Sequence, residues 1–135
     1  MGGGMILETT FLVDVERELI RKTNGPAQRF LADNPASPLF ITFTVAGELA
    51  AGPPLSERSR WEALVEPFKI LVCTADVCWE YGEAFRYLRT NGRLIGSNDL
   101  WIAATAIAFQ MPLVTRNLRH FARVPRLQVL SYEGT

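Results

Sequence analysis

The segment from Gly96 to Asn117, GSNDLWIAATAIAFQMPLVTRN, constrains the fold of this chain more than any other. It opens with small and polar residues and continues as an apolar run at helical spacing from Leu100 to Phe109. It then passes into a short apolar strand that ends in Thr115-Arg116-Asn117. A helix that leads directly into such a strand is typical of α/β folds, in which ligands bind beyond the carboxyl ends of the strands.

The same alternation of strand and helix runs along the rest of the chain. Short apolar stretches predict strands at 5–7, 39–43, 69–72, 112–114 and 127–130, and helical patterns occupy the intervals between them. This alternation predicts an α/β domain with three layers, α/β/α, around a central parallel sheet. Polar residues before the helical runs predict caps at Thr9 or Thr10 and at Ser56 and Asp76, and a helix start at Thr44.

Length and composition fit one globular domain. The chain has 135 residues, of which 48% are hydrophobic and 21% charged, enough to build a sizeable core. Lys plus Arg and Asp plus Glu each number 14, so the whole chain carries no basic footprint for nucleic acid. The sequence shows neither a membrane-spanning run nor a signal peptide, which favours a cytoplasmic protein. Residues 1–4 are interpreted as an artificial or disordered leader, and 5–135 as the domain.

Acidic and amide side chains fall at the predicted strand ends. Glu8 ends the first strand, Glu48 lies on the helix after the second, Asp99 opens the helix before the fourth, and Asn117 follows the fourth. Because right-handed crossovers bring these strand ends to one edge, we expect the four side chains to meet. Clustered carboxylates need a cation, and Mg²⁺ or Mn²⁺ suits oxygen ligands. Glu8, Glu48 and Asp99 are therefore candidate metal ligands for phosphodiester hydrolysis.

Three segments together resemble a PIN domain, with most similarity to VapC-type toxin ribonucleases. They are ILETTFLVDVERE, TVAGELAAG, and IGSNDLWIAATAIAFQMPLVTRN with the following RHF and RVP. The resemblance implies a compact nuclease, Mg²⁺ or Mn²⁺ dependence, cleavage of single-stranded RNA or tRNA, a cognate antitoxin and a homodimer. It places Glu48 and Asp99 on the family's acidic positions. Glu8 stands where the family most often has Asp, and Asn117 where it usually has a fourth acid.

The neighbours of these residues admit two interpretations each. Thr9 and Thr115 either hydrogen-bond to the carboxylates or only cap and end their elements. Asn98 either caps its helix or orients Asp99. Arg116 and Arg119 are possible RNA contacts, with solvated loop charge as the alternative.

Four further residues are given structural interpretations. Asp14 faces away along the first helix and is expected to pair with a nearby arginine. His120 is interpreted as a surface residue or as a residue just outside the metal ligands. Cys73 and Cys78 are interpreted as reduced, partly buried thiols, because no further Cys or His pair completes a zinc site.

Three function classes follow. The first is a metal-dependent endoribonuclease that serves as the toxin of a toxin–antitoxin pair. The second is a catalytically weakened PIN-like protein that binds RNA or a partner, which the departures at Glu8 and Asn117 keep open. The third is a flavodoxin-like phosphoacceptor domain. That class also needs a lysine near the acids, and Lys69, at the start of a strand, lies at the wrong edge.

An antitoxin partner would need an apolar groove for a helix. The helices predicted between Thr9 and Asn34 and between Ser56 and Pro67 are the candidates. They carry more large apolar residues than one small core obviously requires: Phe11, Phe30, Leu31, Trp61 and Leu64.

Overall fold

The computed structural model describes residues 3–52 and 57–133, and its centre is a five-stranded sheet. In these residues the elements follow one another as β1 (Met5–Leu7), α1 (Thr9–Arg21), α2 (Pro26–Asp33), β2 (Leu39–Thr42), α3 (Phe43–Ala51), α4 (Arg58–Val65), β3 (Lys69–Leu71), α5 (Ala75–Thr90), α6 (Ser97–Ala108), β4 (Leu113–Val114), α7 (Leu118–Phe121) and β5 (Val129–Leu130). The predicted strands are all present, and each is equal to or shorter than the prediction.

The strand order is β3-β2-β1-β4-β5, and every neighbouring pair is parallel. The chain therefore moves outward from β1 through β2 to β3, crosses back to the other side, and adds β4 and β5. The order reverses between β1 and β4, where a parallel sheet leaves a crevice beyond its carboxyl edge. The predicted α/β class with a central parallel sheet is confirmed.

The core lies on β1 and on the two strands beside it. All three residues of β1 are buried, as are Ile41 of β2 and both residues of β4. α6 is the most buried of the helices described, and its Trp101 ring stacks on Tyr81 of α5 with 3.9 Å between centroids. Burial of β1 from end to end fixes the position of the residue that follows it.

Several helix caps differ from the prediction, because strands pass into helices with almost no loop. Glu8, not Thr9 or Thr10, caps α1 and accepts from the Thr10 amide at 3.3 Å. Thr42 ends β2 and also caps α3, accepting from the Val45 amide at 3.1 Å, so the start predicted at Thr44 was one residue late.

The cap of α5 was also predicted too late. Thr74, not Asp76, caps this helix and accepts from the Val77 amide at 3.2 Å. Asp76 lies in the first turn, where a carboxylate is favoured by the helix dipole. The cap predicted at Ser56 lies outside the residues that the structure describes.

Gly4, the residue before the predicted start of the domain, packs closely against β2. Gly4 is buried, and a Cβ atom on it would lie 2.2 Å from the Phe40 ring and 2.8 Å from the Pro38 carbonyl oxygen. The missing side chain lets the start of β1 approach β2 closely. Within residues 3–52 and 57–133, no helix combines the length and the apolar character needed to cross a bilayer.

A carboxylate from α1 caps the start of α2. The N-cap residue Gly25 has no side chain, and Glu18 instead accepts from the amides of Ala27 at 3.0 Å and Gln28 at 2.9 Å. A Cβ on Gly25 would lie 2.4 Å from the Glu18 carboxyl carbon, so glycine permits this approach. Desolvation raises the pKa of Glu18, but the hydrogen bonds from Gln28 and Ala27 outweigh it, and the net pKa lies below the usual 4.5.

We expect Glu18→Ala to lower the free energy of unfolding by about 1 kcal/mol at pH 7, the usual value of a lost N-cap. A lowered pKa in the folded state means that the contribution is complete above pH 4.5 and disappears as the pH falls through the folded value. Urea unfolding of wild type and variant between pH 7 and pH 3 measures this. Glu16→Ala, on the exposed face of α1, is the control. A difference that stays constant down to pH 3 would contradict the capping role.

Candidate active site

The register of β1 and β4 sets the centre of the candidate site. Ile6 pairs with Leu113 and Leu7 with Val114, so the next pair beyond the strands is Glu8 and Thr115. The Glu8 amide donates to the Val114 carbonyl at 3.0 Å and extends the ladder by one bond. The site therefore lies where the strand order reverses, at the carboxyl edge of the sheet.

The Glu8 carboxylate is buried, with 5% of its residue surface exposed, and hydroxyl groups surround it. Its Oε1 accepts from Thr115 Oγ1 at 2.6 Å and from Thr10 Oγ1 at 2.7 Å, and its Oε2 accepts from the Thr10 amide at 3.3 Å. Thr115 is fully buried and its Oγ1 also accepts from the Asn117 amide at 3.0 Å. These bonds compensate for the desolvation of the carboxylate and fix its orientation.

Glu48 joins α3 to both α1 and α6. Its Oε1 accepts from Thr9 Oγ1 at 2.7 Å, and its Oε2 accepts from Asn98 Nδ2 at 3.4 Å. Of the two interpretations of Thr9 and Thr115, hydrogen bonding to carboxylates is confirmed. Asn98 fits neither of its predicted roles, because Gly96 is the N-cap of α6 and the Asn98 amide contacts Glu48.

Asp99 lies in the first turn of α6 and contacts the single histidine of the chain. His120 Nε2 is 2.8 Å from Asp99 Oδ2, and the two side chains are 24% and 33% exposed. The α6 dipole favours a carboxylate at this position. Because the second oxygen of Asp99 is outside this contact, the residue keeps a donor atom for a ligand.

The positive charge of Arg116, in the loop after β4, is paired with Asp14 and not with the carboxylates of the site. Arg116 Nη1 donates to Asp14 Oδ1 at 2.9 Å, which confirms the predicted pairing of Asp14 with an arginine. Tyr132 also donates to Asp14, and burial together with this bond raises the pKa of its hydroxyl, so the phenol stays protonated. Asn117 and Arg119 are exposed beside the site.

The residues of the site come from both halves of the chain. The chain matches the PIN domain family over residues 5–127. It belongs to the PIN-domain family. Ribonuclease VapC1 of Haemophilus influenzae strain R2866 is 36% identical over 91 residues, which are 66% of this chain and 68% of that protein. The curated relatives of this PIN domain are thus VapC ribonucleases, toxins of VapBC toxin–antitoxin systems.

Solved structures show the same fold. The structure of VapBC-1 from nontypeable Haemophilus influenzae superposes with a TM-score of 0.78 at 28% identity, and covers 95% of this chain and 97% of its own. VapBC2 from Rickettsia felis, bound to a DNA fragment from its promoter, gives a TM-score of 0.73 at 27% identity, with 94% and 97% covered. Both neighbours are toxin–antitoxin complexes.

The donor atoms of the site suit Mg²⁺, but they do not form a ready cage. In the part of the chain that the structure describes, no group of three Asp, Glu, His or Cys side chains is spaced to hold one metal ion. The prediction brought the side chains to one edge of the sheet, and local hydrogen bonds orient each carboxylate there. Thr10 and Thr115 hold the Glu8 carboxylate, and Thr9 holds that of Glu48. Mg²⁺ commonly binds to only one or two protein carboxylates and takes its remaining ligands from waters and substrate phosphates. This PIN domain can supply those carboxylates.

Sequence reasoning missed the contacts of Thr10 and Tyr132. Thr10 appeared only as a possible cap, yet it contacts Glu8 through both its hydroxyl and its amide. Tyr132 lies at the end of the chain, 118 residues from Asp14, and no local pattern links the two. Of the two interpretations of His120, the one that placed it just outside the metal ligands agrees with its contact with Asp99.

We expect Thr115→Val to lower the free energy of unfolding by about 1–3 kcal/mol, because the buried Glu8 carboxylate loses its shortest hydrogen bond. The isosteric side chain leaves packing unchanged. Thr115→Ser keeps the hydroxyl and is the matched control, with less than half of that loss expected. Chemical denaturation at pH 7 measures both. A loss for Thr115→Val that is no larger than the loss for Thr115→Ser would contradict the role of the hydroxyl bond to Glu8.

Proposed function

We propose that this PIN domain is a metal-dependent endoribonuclease that cleaves single-stranded RNA or tRNA and acts as a toxin restrained by an antitoxin. The observation that carries the proposal is the set of carboxylates at the reversal of strand order. Glu8, Glu48 and Asp99 come from three parts of the chain, and threonine, asparagine and histidine side chains hold them there. The relatives named Ribonuclease VapC support the same activity.

Mg²⁺ or Mn²⁺ is the proposed cofactor, with Glu8, Glu48 and Asp99 as its protein ligands. Glu48 and Asp99 are the more accessible of the three, and Asn117 offers an amide oxygen from the loop after β4. A bound divalent ion would lower the pKa of a water molecule and stabilise the charge on the scissile phosphate. Because Glu8 is buried, its negative charge also adds to the potential that attracts the ion.

The other residues of the site position these carboxylates. Thr9 and Asn98 fix the two oxygens of Glu48, and His120 fixes one oxygen of Asp99. Arg119 is proposed as a phosphate contact because its side chain is exposed beside Asn117. Arg116 is a weaker candidate for this contact, since binding RNA would compete with its ion pair to Asp14.

A catalytically weakened PIN protein is the second candidate. Two observations favour it: Glu8 already has three hydrogen-bond donors, and Asn117 lacks the charge of the acid usual at this position. Such a protein would keep the fold and the partner surface and would bind RNA with little cleavage.

We expect Asp99→Asn to reduce cleavage of single-stranded RNA in Mg²⁺ or Mn²⁺ by at least about 100-fold, more than the roughly 10–100-fold typical of groups around a metal's ligands. EDTA should abolish the wild-type activity. Asp76→Asn is the matched control, because Asp76 is also a carboxylate in the first turn of a helix, and this helix follows the edge strand β3 and not β1 or β4. Cleavage that survives Asp99→Asn and EDTA would refute the metal mechanism. A wild type that binds RNA without cleaving any would establish the weakened protein instead.

The partner surface is proposed to be an apolar groove between α1, α3 and α4. The groove has a volume of about 500 Å³, and its floor and walls are formed mainly by Leu12, Val15, Leu19, Leu49, Leu64 and Phe68. Grooves of this kind accept the apolar face of a helix. The VapBC complexes among the structural neighbours support an antitoxin helix as the occupant.

Only Leu64 of the five residues predicted for this surface lines the groove. Phe11 is fully buried and packs edge-on against Phe30 and Tyr132, so these aromatic rings belong to the core. Trp61 donates from its indole nitrogen to the Ala46 carbonyl at 2.9 Å and stabilises the contact of α4 with α3. A loss of antitoxin binding in a Trp61 variant could therefore result from damage to the fold, so Trp61 is unsuitable for testing the groove.

We expect Leu19→Asp to reduce co-purification of the cognate antitoxin by at least about tenfold, since it places an unpaired charge in the groove. Leu19 is 60% exposed, so folding should tolerate the change. The neighbouring Ile20 is 71% exposed and outside the groove, and Ile20→Asp is the matched control. Equal antitoxin binding by both variants would rule out this groove. The homodimer and the cytoplasmic location remain predictions.

A further inference from the structure

Two cysteine thiols are in contact at the carboxyl end of β3. Cys73 Sγ and Cys78 Sγ are 3.6 Å apart, and both residues are exposed and free. The prediction of partly buried thiols is wrong, because both side chains are exposed at the surface. Neither residue takes part in the candidate active site, so their contact needs a separate explanation.

The start of α5 explains why these thiols meet. Thr74 is the N-cap, which makes Cys73 the residue before the cap and Cys78 the fourth residue of the helix. In capped helices the side chains at these two positions pack against each other across the first turn. Here the Thr74 hydroxyl accepts from the Val77 amide at 3.2 Å and holds the turn closed. The cap therefore places one thiol against the other, where other helices have a pair of apolar side chains.

The chemistry of the contact favours disulfide formation over other uses. Partial desolvation and the contact with Cys78 raise the pKa of Cys73, so this thiol is not an activated nucleophile at neutral pH. In the described part of the chain no third Cys, His, Asp or Glu is grouped with the pair to complete a metal site. Proximity is thus the property that distinguishes these thiols, and proximity favours an internal disulfide over two separate adducts.

We propose that Cys73 and Cys78 form a reversible intramolecular disulfide that closes the β3–α5 junction. The co-reactant is a small-molecule disulfide such as oxidised glutathione. The thiolate of one cysteine attacks it to form a mixed disulfide and releases one reduced glutathione. The second cysteine then attacks the protein sulfur of that adduct and releases the other, so two thiol protons and two electrons leave the protein in total. The site is independent of the proposed nuclease activity.

The test equilibrates the full chain in buffers of reduced and oxidised glutathione, then alkylates free thiols and measures intact mass. We expect wild type to convert to a species that lacks two hydrogen atoms and takes up neither alkyl group nor glutathione. Half of the folded chain should be oxidised at a ratio of reduced to oxidised glutathione that is on the order of tenfold higher than the ratio needed for the chain in urea. Cys73→Ser and Cys78→Ser should each give only the single glutathione adduct.

The role of the cap has its own control. Thr74→Ala keeps both thiols but removes the hydroxyl that closes the turn, and we expect it to shift the half-oxidation ratio several-fold toward more oxidising buffers. Circular dichroism verifies that this variant is folded. Wild type that carries two glutathione adducts, or stays fully reduced in excess oxidised glutathione, would overturn the proposal. So would an internal disulfide that is no more stable in the folded chain than in urea.

Discussion

The parallel pairing of β1 with β4 is the constraint on which the rest of the structure depends. These two short strands are buried, adjacent in the sheet and more than a hundred residues apart in sequence. Their register continues for one pair beyond the strands and brings Glu8 against Thr115. A shift of one residue would turn the Glu8 side chain to the other face of the sheet and break this contact. The reversal of strand order and the polar site are thus consequences of the same pairing.

Hydroxyl groups determine how the acidic residues of the site are arranged. A buried carboxylate is tolerated only when hydrogen bonds replace its lost hydration, and Glu8 obtains them from Thr10 and Thr115. The oxygens of Glu48 accept hydrogen bonds from Thr9 and Asn98 instead. The PIN domain thus carries carboxylates that are oriented individually before any ligand binds. Substitutions of the threonines are therefore expected to act on stability as well as on activity.

Much of the fold followed from sequence because the local patterns agree with the tertiary structure. Apolar runs that alternate with helical patterns predicted the parallel sheet. The polar residues near the strand ends predicted the edge of the sheet at which the site lies. Cap positions were less predictable, because Thr42 and Glu8 serve a strand and a helix at once. Side-chain geometry was harder still. That Leu19 lines a groove while Phe11 lies in the core depends on how the helices pack, and periodicity alone does not distinguish an apolar residue in the core from one in an open groove.

The sequence by itself determined the α/β class, the edge at which Glu8, Glu48 and Asp99 lie, and the resemblance to PIN nucleases, since each depends on residue types at short spacing. Only the tertiary structure decided what those carboxylates contact. His120 reaches Asp99, and Tyr132 reaches the first helix from the end of the chain, through contacts between residues far apart in sequence. Such contacts depend on strand register and helix packing, which are settled by the burial of the whole core rather than by any local segment.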